Sequence, residues 1–207
     1  MNDTMDKSST LVVFAKTPGT GDAKTRIAET EGRETADRIY DELLTITGNV
    51  ASNFHYHVAY TGDNSPDTLR PYFDRAASFF AQSGETLGDR LRNAYLHLIE
   101  QGYRYIITIG VDCPTLVPED IREAFVYLEQ DIATAFGPAT DGGYYLVGAN
   151  PESLDIFSAK NWSASNLLTE TLTIVYSRGY SCHILQPRAD IDTMEDYVRW
   201  KEPVHAL

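Results

Sequence analysis

Cysteine is scarce in this sequence: Cys113 and Cys182 are the only two among 207 residues. Two cysteines cannot build the disulfide framework of small secreted proteins. Long hydrophobic runs are missing too, since no stretch approaches the about twenty apolar residues of a membrane-spanning helix. The polar opening MNDTMDKSST lacks the apolar centre of a signal peptide. We therefore expect a cytoplasmic protein without membrane insertion, whose residues 1–9 are disordered or irregular.

Positive charge is also in short supply, because 17 lysines and arginines stand against 30 acidic residues and give a net charge of −13. Such a surface repels the phosphates of nucleic acids and of anionic membranes. We therefore expect no nucleic-acid partner. A small anionic ligand stays open if the few cations are concentrated in one place.

Short apolar runs alternate with segments of helical periodicity. Strands are predicted at 11–15, 54–61, 76–82, 103–111, 131–137, 143–149 and 180–187. Helices are predicted over 36–51, 87–98 and about 163–177, and from Pro118 and Met194 onward. Strands separated by helices are typical of a parallel sheet with right-handed crossovers. We predict one three-layer α/β/α domain over residues 10–207, with a mainly parallel mixed sheet and a ligand at the carboxyl ends of its strands.

The cations concentrate in FAKTPGTGDAKTRIAE, residues 14–29, directly after the first predicted strand. The segment is no Walker A loop, because Ala23 precedes Lys24, and it is no G-x-G-x-x-G motif, because Lys24 replaces the third glycine. Loop glycines let backbone N–H groups approach a phosphate, while lysine and arginine supply charge. A solvated loop with incidental cations is the alternative. Three cations with two glycines favour a phosphate site, formed by Lys16, Gly19, Gly21, Lys24 and Arg26.

Two carboxylates are candidate ligands of a divalent cation. Asp112 ends the strongest predicted strand, where its oxygens would face the ligand crevice, although a turn-capping role fits this position equally well. In DIDTMEDY, residues 190–197, Thr193 and Asp196 fit a capping box, which leaves Asp192 free to point elsewhere. Two carboxylates from separate segments and a substrate phosphate are the usual minimum for Mg²⁺.

Other segments have weaker functional signals. In FGPATDGGYYLVGA, residues 141–143 fit a hairpin turn, and their glycines could equally let a sugar or base lie against the backbone. His55 and His57 have no further ligand at metal spacing and are predicted to lie in the core or at an edge. Cys113 is predicted to be structural, and Trp162 to pack or to line an acceptor pocket.

Six segments occur in an order that resembles a bacterial group of nucleotide-diphospho-sugar transferase-like proteins of the GT-A fold, some of which are linked to arsenosugar biosynthesis. They are LVVFAKTPGTGDAKTR, GETLGDRL, IGVDCPTL, FGPATDGGYYLVG, WSASNLLTETL and DIDTMEDY. The resemblance covers about residues 10–200, nearly the whole chain. More distantly, the chain is similar to the molybdenum-cofactor and phospholactate guanylyltransferases and to the CMP-sugar synthetases.

The resemblance implies that the basic loop holds nucleotide phosphates and that Asp112 and Asp192 bind Mg²⁺ or Mn²⁺. Two departures concern the reaction. Lys16 and Thr17 stand where many nucleotidyltransferases have Gly-Gly, and VDC holds one acid where typical glycosyltransferases have D-x-D. The resemblance thus fixes the fold and the nucleotide class better than the reaction.

Two hypotheses of different class follow. The first is a Mg²⁺-dependent transferase that uses Lys24, Arg26 and Asp112 in catalysis. An acceptor attacks either the α-phosphorus of a nucleoside triphosphate, which the missing D-x-D favours, or the anomeric carbon of a nucleotide-sugar, which the family label favours. The second is a non-catalytic nucleotide-binding regulatory module, which the imperfect phosphate loop favours and the two carboxylates oppose. The expected partner is a small-molecule acceptor contacted by Asp141, Gly142 and Gly143, and a homodimer stays open.

Overall fold

A computed structural model describes residues 8–62, 64–158 and 165–202 of the chain. Within these ranges one seven-stranded sheet contains β1 Ser9–Lys16, β2 Tyr56–Thr61, β3 Phe79–Ala81, β4 Tyr105–Ile109, β5 Thr134–Pro138, β6 Tyr144–Ala149 and β7 Cys182–Ile184. The strand order is β3-β2-β1-β4-β6-β5-β7. Strand β6 is antiparallel to both its neighbours, and the other pairs are parallel. The predicted mainly parallel mixed sheet is confirmed.

The α-helices of the described ranges are α1 Thr25–Glu31, α2 Arg33–Ala51, α3 Leu87–Glu100, α4 Pro118–Glu129, α5 Leu167–Ser177 and α6 Met194–Lys201. Two 3-10 segments lie at Pro66–Leu69 and Pro151–Ser158. No helix in the described part of the chain is long and apolar enough to cross a membrane.

The helices cover both faces of the sheet. Alternation along β1 sends Leu11 and Val13 to a core shared with α2 and α4, while Val12 faces a second core with α3 and α5. A third cluster fastens α1 and α6 to α2 through Ile27, Ile191 and other apolar residues. This arrangement confirms the three-layer α/β/α prediction.

Capping chemistry sets the helix boundaries where the sequence predicts them. Pro118 occupies the first turn of α4, and Thr193 forms a capping box with Asp196 at the start of α6. Gly102 has a φ of 96° just after α3, a conformation that favours glycine. Residues 1–7 of the predicted irregular segment and Trp162 lie outside the described residues, and β1 already begins at Ser9.

His57 on β2 gives the fold a sensitivity to acid. Its ring is 3% exposed, and its Nε2 has no hydrogen-bond partner among the described residues. Burial, together with the nearby His55 and His97, lowers the pKa of His57 to about 4. Because an unfolded histidine has a pKa of about 6.5, the unfolded state takes up a proton first as the pH falls.

We therefore expect the free energy of unfolding to fall between about pH 6.5 and pH 4, with about 3 kcal/mol contributed by His57. Urea unfolding at both pH values should show a smaller decrease in the free energy of unfolding for His57→Gln than for wild type. Glutamine keeps a polar partner for Ser78. An equal acid loss in wild type and variant would contradict this account.

Candidate functional site

A cavity of about 440 Å³ opens at the edge of the sheet where β1 and β4 end. This is the predicted position for a ligand in an open α/β sheet. Five residues predicted for the site line it together, namely Lys16, Lys24, Arg26, Asp112 and Asp192. The other five predicted residues, Gly19, Gly21, Asp141, Gly142 and Gly143, are not among its lining residues.

Lys24 is the innermost cation of the cavity. It precedes α1 in the left-handed conformation, with a φ of 50°, and its side chain is only 3% exposed. Its ammonium group donates hydrogen bonds to Asp112 and to the carbonyl oxygen of Ile191. The amide of Ile191 in turn donates to the carbonyl oxygen of Asp112 at 2.9 Å. Lys24 thus joins the segment after β4 to the segment before α6.

Arg26 and Asp192 form a looser pair at the cavity mouth. The guanidinium of Arg26 is 3.5 Å from Oδ2 of Asp192, and its side chain is 71% exposed. Burial raises the pKa of Asp192, the charge of Asp112 adds to this rise, and the cations Lys24 and Arg26 oppose it. Because the distance between the two charged groups is long and Arg26 is exposed, the guanidinium is available to bind an anion.

Asp190, which the sequence analysis does not select, adds a further carboxyl group beside these residues. Its Oδ1 is buried and has no hydrogen-bond partner among the described residues. Burial raises the pKa of Asp190 to about 7, and the negative charges of Asp112, Asp141 and Asp192 contribute to the rise. An orphaned oxygen among carboxylates indicates a local potential that attracts cations.

The carboxylates do not make a complete metal site by themselves. Within the described ranges, no three histidine, cysteine or acidic side chains are arranged to hold a metal ion. Mg²⁺ in phosphate-binding sites commonly uses one or two carboxylates and completes its shell with phosphate oxygens and water. Asp112 and Asp192 line the same cavity, and Lys24 joins their two segments. They match a Mg²⁺ site with two carboxylates that phosphate oxygens and water would complete.

In the loop before α1, residues 17–24, the backbone carbonyl and N–H groups differ in their hydrogen bonding. Its carbonyl oxygens accept hydrogen bonds from protein donors at Thr17, Pro18, Gly21, Asp22 and Ala23. By contrast, the backbone N–H groups of residues 19–24 donate no hydrogen bond to any described residue. A loop whose carbonyl oxygens already accept hydrogen bonds, and whose N–H groups donate to no described residue, is suited to binding an anion.

Lys16 takes part in this loop rather than projecting freely. Its ammonium group donates to the carbonyl oxygen of Asp22 at 2.7 Å. The hydroxyl of Tyr40 accepts from the Lys16 amide at 2.8 Å and donates to its carbonyl at 2.9 Å. Lys16 therefore braces the loop from the end of β1 while still lining the cavity.

The turn between β5 and β6 is a hairpin, which confirms one interpretation of FGPATDGGYYLVGA. Oδ1 of Asp141 accepts from the Gly143 amide at 2.8 Å, and Gly142 has a φ of 95°. A Cβ atom at Gly142 would lie 1.7 Å from the Ser165 carbonyl oxygen, so only glycine fits there. Asp141 is exposed beside the cavity and acts electrostatically on Asp190.

Cys113 follows Asp112, and its thiol is unreactive. Burial raises the pKa of its thiol to about 11, so the reactive thiolate is essentially absent at neutral pH. The position agrees with the structural role predicted from the sequence.

Comparison with known proteins identifies relatives of the same fold. The family model described as "Uncharacterized protein conserved in bacteria (DUF2064)" matches residues 46–164, more than half of the chain. A search of the curated proteins returns no match. A solved structure from Desulfovibrio desulfuricans G20, provisionally described as a nucleotide-diphospho-sugar transferase, is 26% identical, with 96% of this chain and 89% of that chain covered and a TM-score of 0.86.

Two more distant structures support the fold alone. A cytidylyltransferase from Leptospira borgpetersenii serovar Hardjo-bovis is 15% identical, with 94% of this chain and 85% of that chain covered and a TM-score of 0.59. The protein Rv0371C of Mycobacterium tuberculosis H37Rv, in complex with manganese, is 17% identical, with 95% and 99% covered and a TM-score of 0.57. The chain thus belongs to the DUF2064 family and has the fold of the nucleotide-diphospho-sugar transferases.

Proposed function

We propose that this protein is a divalent-cation-dependent transferase that binds a nucleoside triphosphate and transfers its nucleotidyl group to a small acceptor. One observation carries the proposal: a loop whose N–H groups at Asp22, Ala23 and Lys24 donate to no described residue lines one cavity with Arg26 and with the carboxylates of Asp112 and Asp192. This combination can bind a phosphate chain on one side and a cation on the other.

The loop and its cations would bind the phosphates. The backbone N–H groups of Asp22, Ala23 and Lys24, which line the cavity, would supply directional donors, and the guanidinium of Arg26 can donate to two phosphate oxygens at once. The Lys24 ammonium has three N–H donors, of which Asp112 and the Ile191 carbonyl accept two, so the third can donate to a phosphate. A divalent cation on Asp112 would repel this ammonium, so we expect Lys24 to exchange Asp112 for a phosphate when the cation and the nucleotide bind together.

Asp112 and Asp192 are the residues that would hold Mg²⁺ or Mn²⁺, with Asp190 contributing negative potential beside them. When bound, such a cation neutralises charge on the phosphates. The carboxylates need such a cation for another reason as well: without one, they would repel the nucleotide that the loop attracts.

The acceptor would react directly with the nucleotide. An oxygen of an acceptor phosphate or hydroxyl forms a bond to the α-phosphorus, the bond from that phosphorus to the α–β bridging oxygen breaks, and pyrophosphate leaves with the electron pair. A hydroxyl acceptor releases its proton to solvent. Displacement of this kind depends on positioning and charge stabilisation and requires no protein nucleophile. The buried Cys113 thiol, with its raised pKa, is no such nucleophile. Tyr144, the residue directly after the hairpin turn, lines the cavity, and we assign contact with the acceptor to Asp141, Gly142 and Gly143 in that turn.

Glycosyl transfer from a nucleotide-sugar is the second candidate, favoured by the Desulfovibrio desulfuricans relative and its description. The same cavity would then stabilise a departing nucleoside diphosphate. To separate the candidates, the protein should be incubated with Mg²⁺, small acceptors and a panel of triphosphates and nucleotide-sugars. Release of pyrophosphate supports nucleotidyl transfer, and release of nucleoside diphosphate supports glycosyl transfer. Tight nucleotide binding that ignores Mg²⁺ and yields neither product would instead indicate a non-catalytic binding module.

Arg26 gives a prediction for the loop. We expect Arg26→Ala to lower kcat/KM by about 30- to 150-fold, or about 2–3 kcal/mol, because a charge-assisted contact to phosphate is lost. The melting temperature should hardly change, since this cation is exposed and its ion pair is long. Arg26→Lys should restore the activity only in part.

The control is Arg38→Ala, an exposed arginine on α2 that does not line the cavity. It should leave both the activity and the melting temperature unchanged. A large drop in the melting temperature of Arg26→Ala with preserved activity would make Arg26 a structural residue.

A further inference from the structure

Arg33, the first residue of α2, reaches back to the loop that lines the cavity. Its two terminal nitrogens donate hydrogen bonds of 2.8 Å to the carbonyl oxygens of Gly21 and Ala23. The carboxylate of Asp37, one turn along α2, lies 2.9 Å from the same guanidinium and holds it in place. Arg33 itself does not line the cavity, so it grips the loop from outside.

The two hydrogen bonds from Arg33 determine the direction in which the N–H groups of the loop point. In a trans peptide the carbonyl of one residue and the N–H of the next point in opposite directions, and the described chain contains no cis peptide. With the carbonyls of Gly21 and Ala23 turned toward Arg33, the N–H groups of Asp22 and Lys24 must point away from it. Asp22 and Lys24 both line the cavity, and neither amide has an acceptor among the described residues.

The backbone conformation of this stretch supports the same conclusion. Gly21 has a φ of 82° and Lys24 a φ of 50°, both in the left-handed region. For a lysine this conformation costs energy, so the surrounding structure must impose it. Arg33 holds the carbonyls between these two turns, and it is the donor best placed to impose them.

We infer that Arg33 is a positioning residue, which turns two loop carbonyls outward so that the amides of Asp22 and Lys24 can bind a phosphate. The inference rests on the proposed function and deepens it, because it names the residue that makes the loop an anion site. Arg33 does not touch the ligand. Its planar fork bridges two carbonyls, which the single ammonium of a lysine cannot do with the same geometry.

The test is binding of inorganic pyrophosphate to the full-length protein, measured by calorimetry for wild type, Arg33→Ala, Arg33→Lys and Arg38→Ala. Arg33→Lys keeps the charge and removes the fork, and Arg38→Ala removes an exposed charge elsewhere on α2. We expect both Arg33 variants to bind about tenfold or more weakly, and Arg38→Ala to bind as wild type does. The amide NMR signals of residues 22 and 24 should shift with pyrophosphate in wild type and not in Arg33→Lys.

Wild-type affinity in Arg33→Lys would overturn the inference, because charge alone would then suffice. Wild-type affinity in Arg33→Ala would overturn it too, while leaving the proposed function intact. If wild type itself binds no pyrophosphate, the phosphate site and the inference fail together. Should Arg33→Ala not fold, as judged by circular dichroism, Arg33→Lys decides the question alone.

Discussion

Replacement of Asp192 by asparagine is expected to lower kcat/KM by about 10²- to 10³-fold without destabilising the protein. In the proposed site this carboxylate binds a cation and contributes little to folding. Burial raises the pKa of Asp192, and the neighbouring charge of Asp112 raises it further. A raised pKa means that the charged form is disfavoured in the fold, so removing the charge relieves the folded state at neutral pH. The weak pair with Arg26, at 3.5 Å, is a small loss.

The measurement pairs steady-state kinetics with thermal unfolding at pH 8. The matched control is Asp74→Asn, an exposed aspartate that does not line the cavity and should change neither quantity. Loss of stability in parallel with loss of activity would show that Asp192 supports the fold rather than the reaction. Full activity in Asp192→Asn would remove it from the proposed metal site.

Replacement of Lys24 is expected to strengthen the binding of a divalent cation and to lower kcat/KM. The Lys24 ammonium donates hydrogen bonds to Asp112 and to the Ile191 carbonyl, so in the proposed site it would compete with a divalent cation for the same carboxylate. A bound nucleotide would draw the ammonium toward its phosphates and free Asp112. Cation binding and nucleotide binding should therefore strengthen each other, and the coupling must be reciprocal.

We expect Lys24→Met to bind Mn²⁺ about tenfold more tightly than wild type in the absence of nucleotide, because the competing charge is gone. The same variant should lose about 10²- to 10³-fold in kcat/KM, because the phosphates lose their innermost cation. Paramagnetic resonance of free Mn²⁺, with and without nucleotide, measures the first effect independently of activity.

Lys16→Met serves as the control for Lys24, since its ammonium is bound to the Asp22 carbonyl and not to a carboxylate. It should leave nucleotide-free Mn²⁺ binding close to that of wild type. If Lys24→Met binds Mn²⁺ no better than wild type does, Lys24 does not compete for Asp112 and the coupling is absent.

The sequence predicts the fold well because its strongest signals are local. Apolar runs, helical spacing and caps such as Thr193 with Asp196 belong to single segments, and the structure has a strand or helix at each of them. Some elements are shorter than predicted, such as β3 within 76–82 and β7 within 180–187. Helix α1, Thr25–Glu31, is not predicted, because its seven residues bury only Ile27 and Lys24 offers no side-chain cap. Its position depends on tertiary contacts with α2 and α6, which no local pattern reveals.

The site is predicted in part for a related reason. Cations after the first strand and a carboxylate after a central strand meet at one sheet edge by topology alone, so Lys24 and Asp112 could be selected from the sequence. Arg33 could not, because its partners are backbone carbonyls, which carry no signature in the sequence. Asp190 and Asp192 lie two residues apart in one irregular segment, and no local pattern shows that Asp192 lines the cavity while an oxygen of Asp190 is buried.

A crystal of the protein soaked with a nucleoside triphosphate and Mn²⁺ tests the central proposal most directly. The anomalous signal of Mn²⁺ locates the cation without reference to activity. We predict one Mn²⁺ coordinated by Asp112 and Asp192, phosphate oxygens against the amides of Asp22 and Lys24, and the Lys24 ammonium moved from Asp112 to a phosphate. Mn²⁺ bound away from both carboxylates, or a nucleotide outside the cavity, would contradict the proposed function.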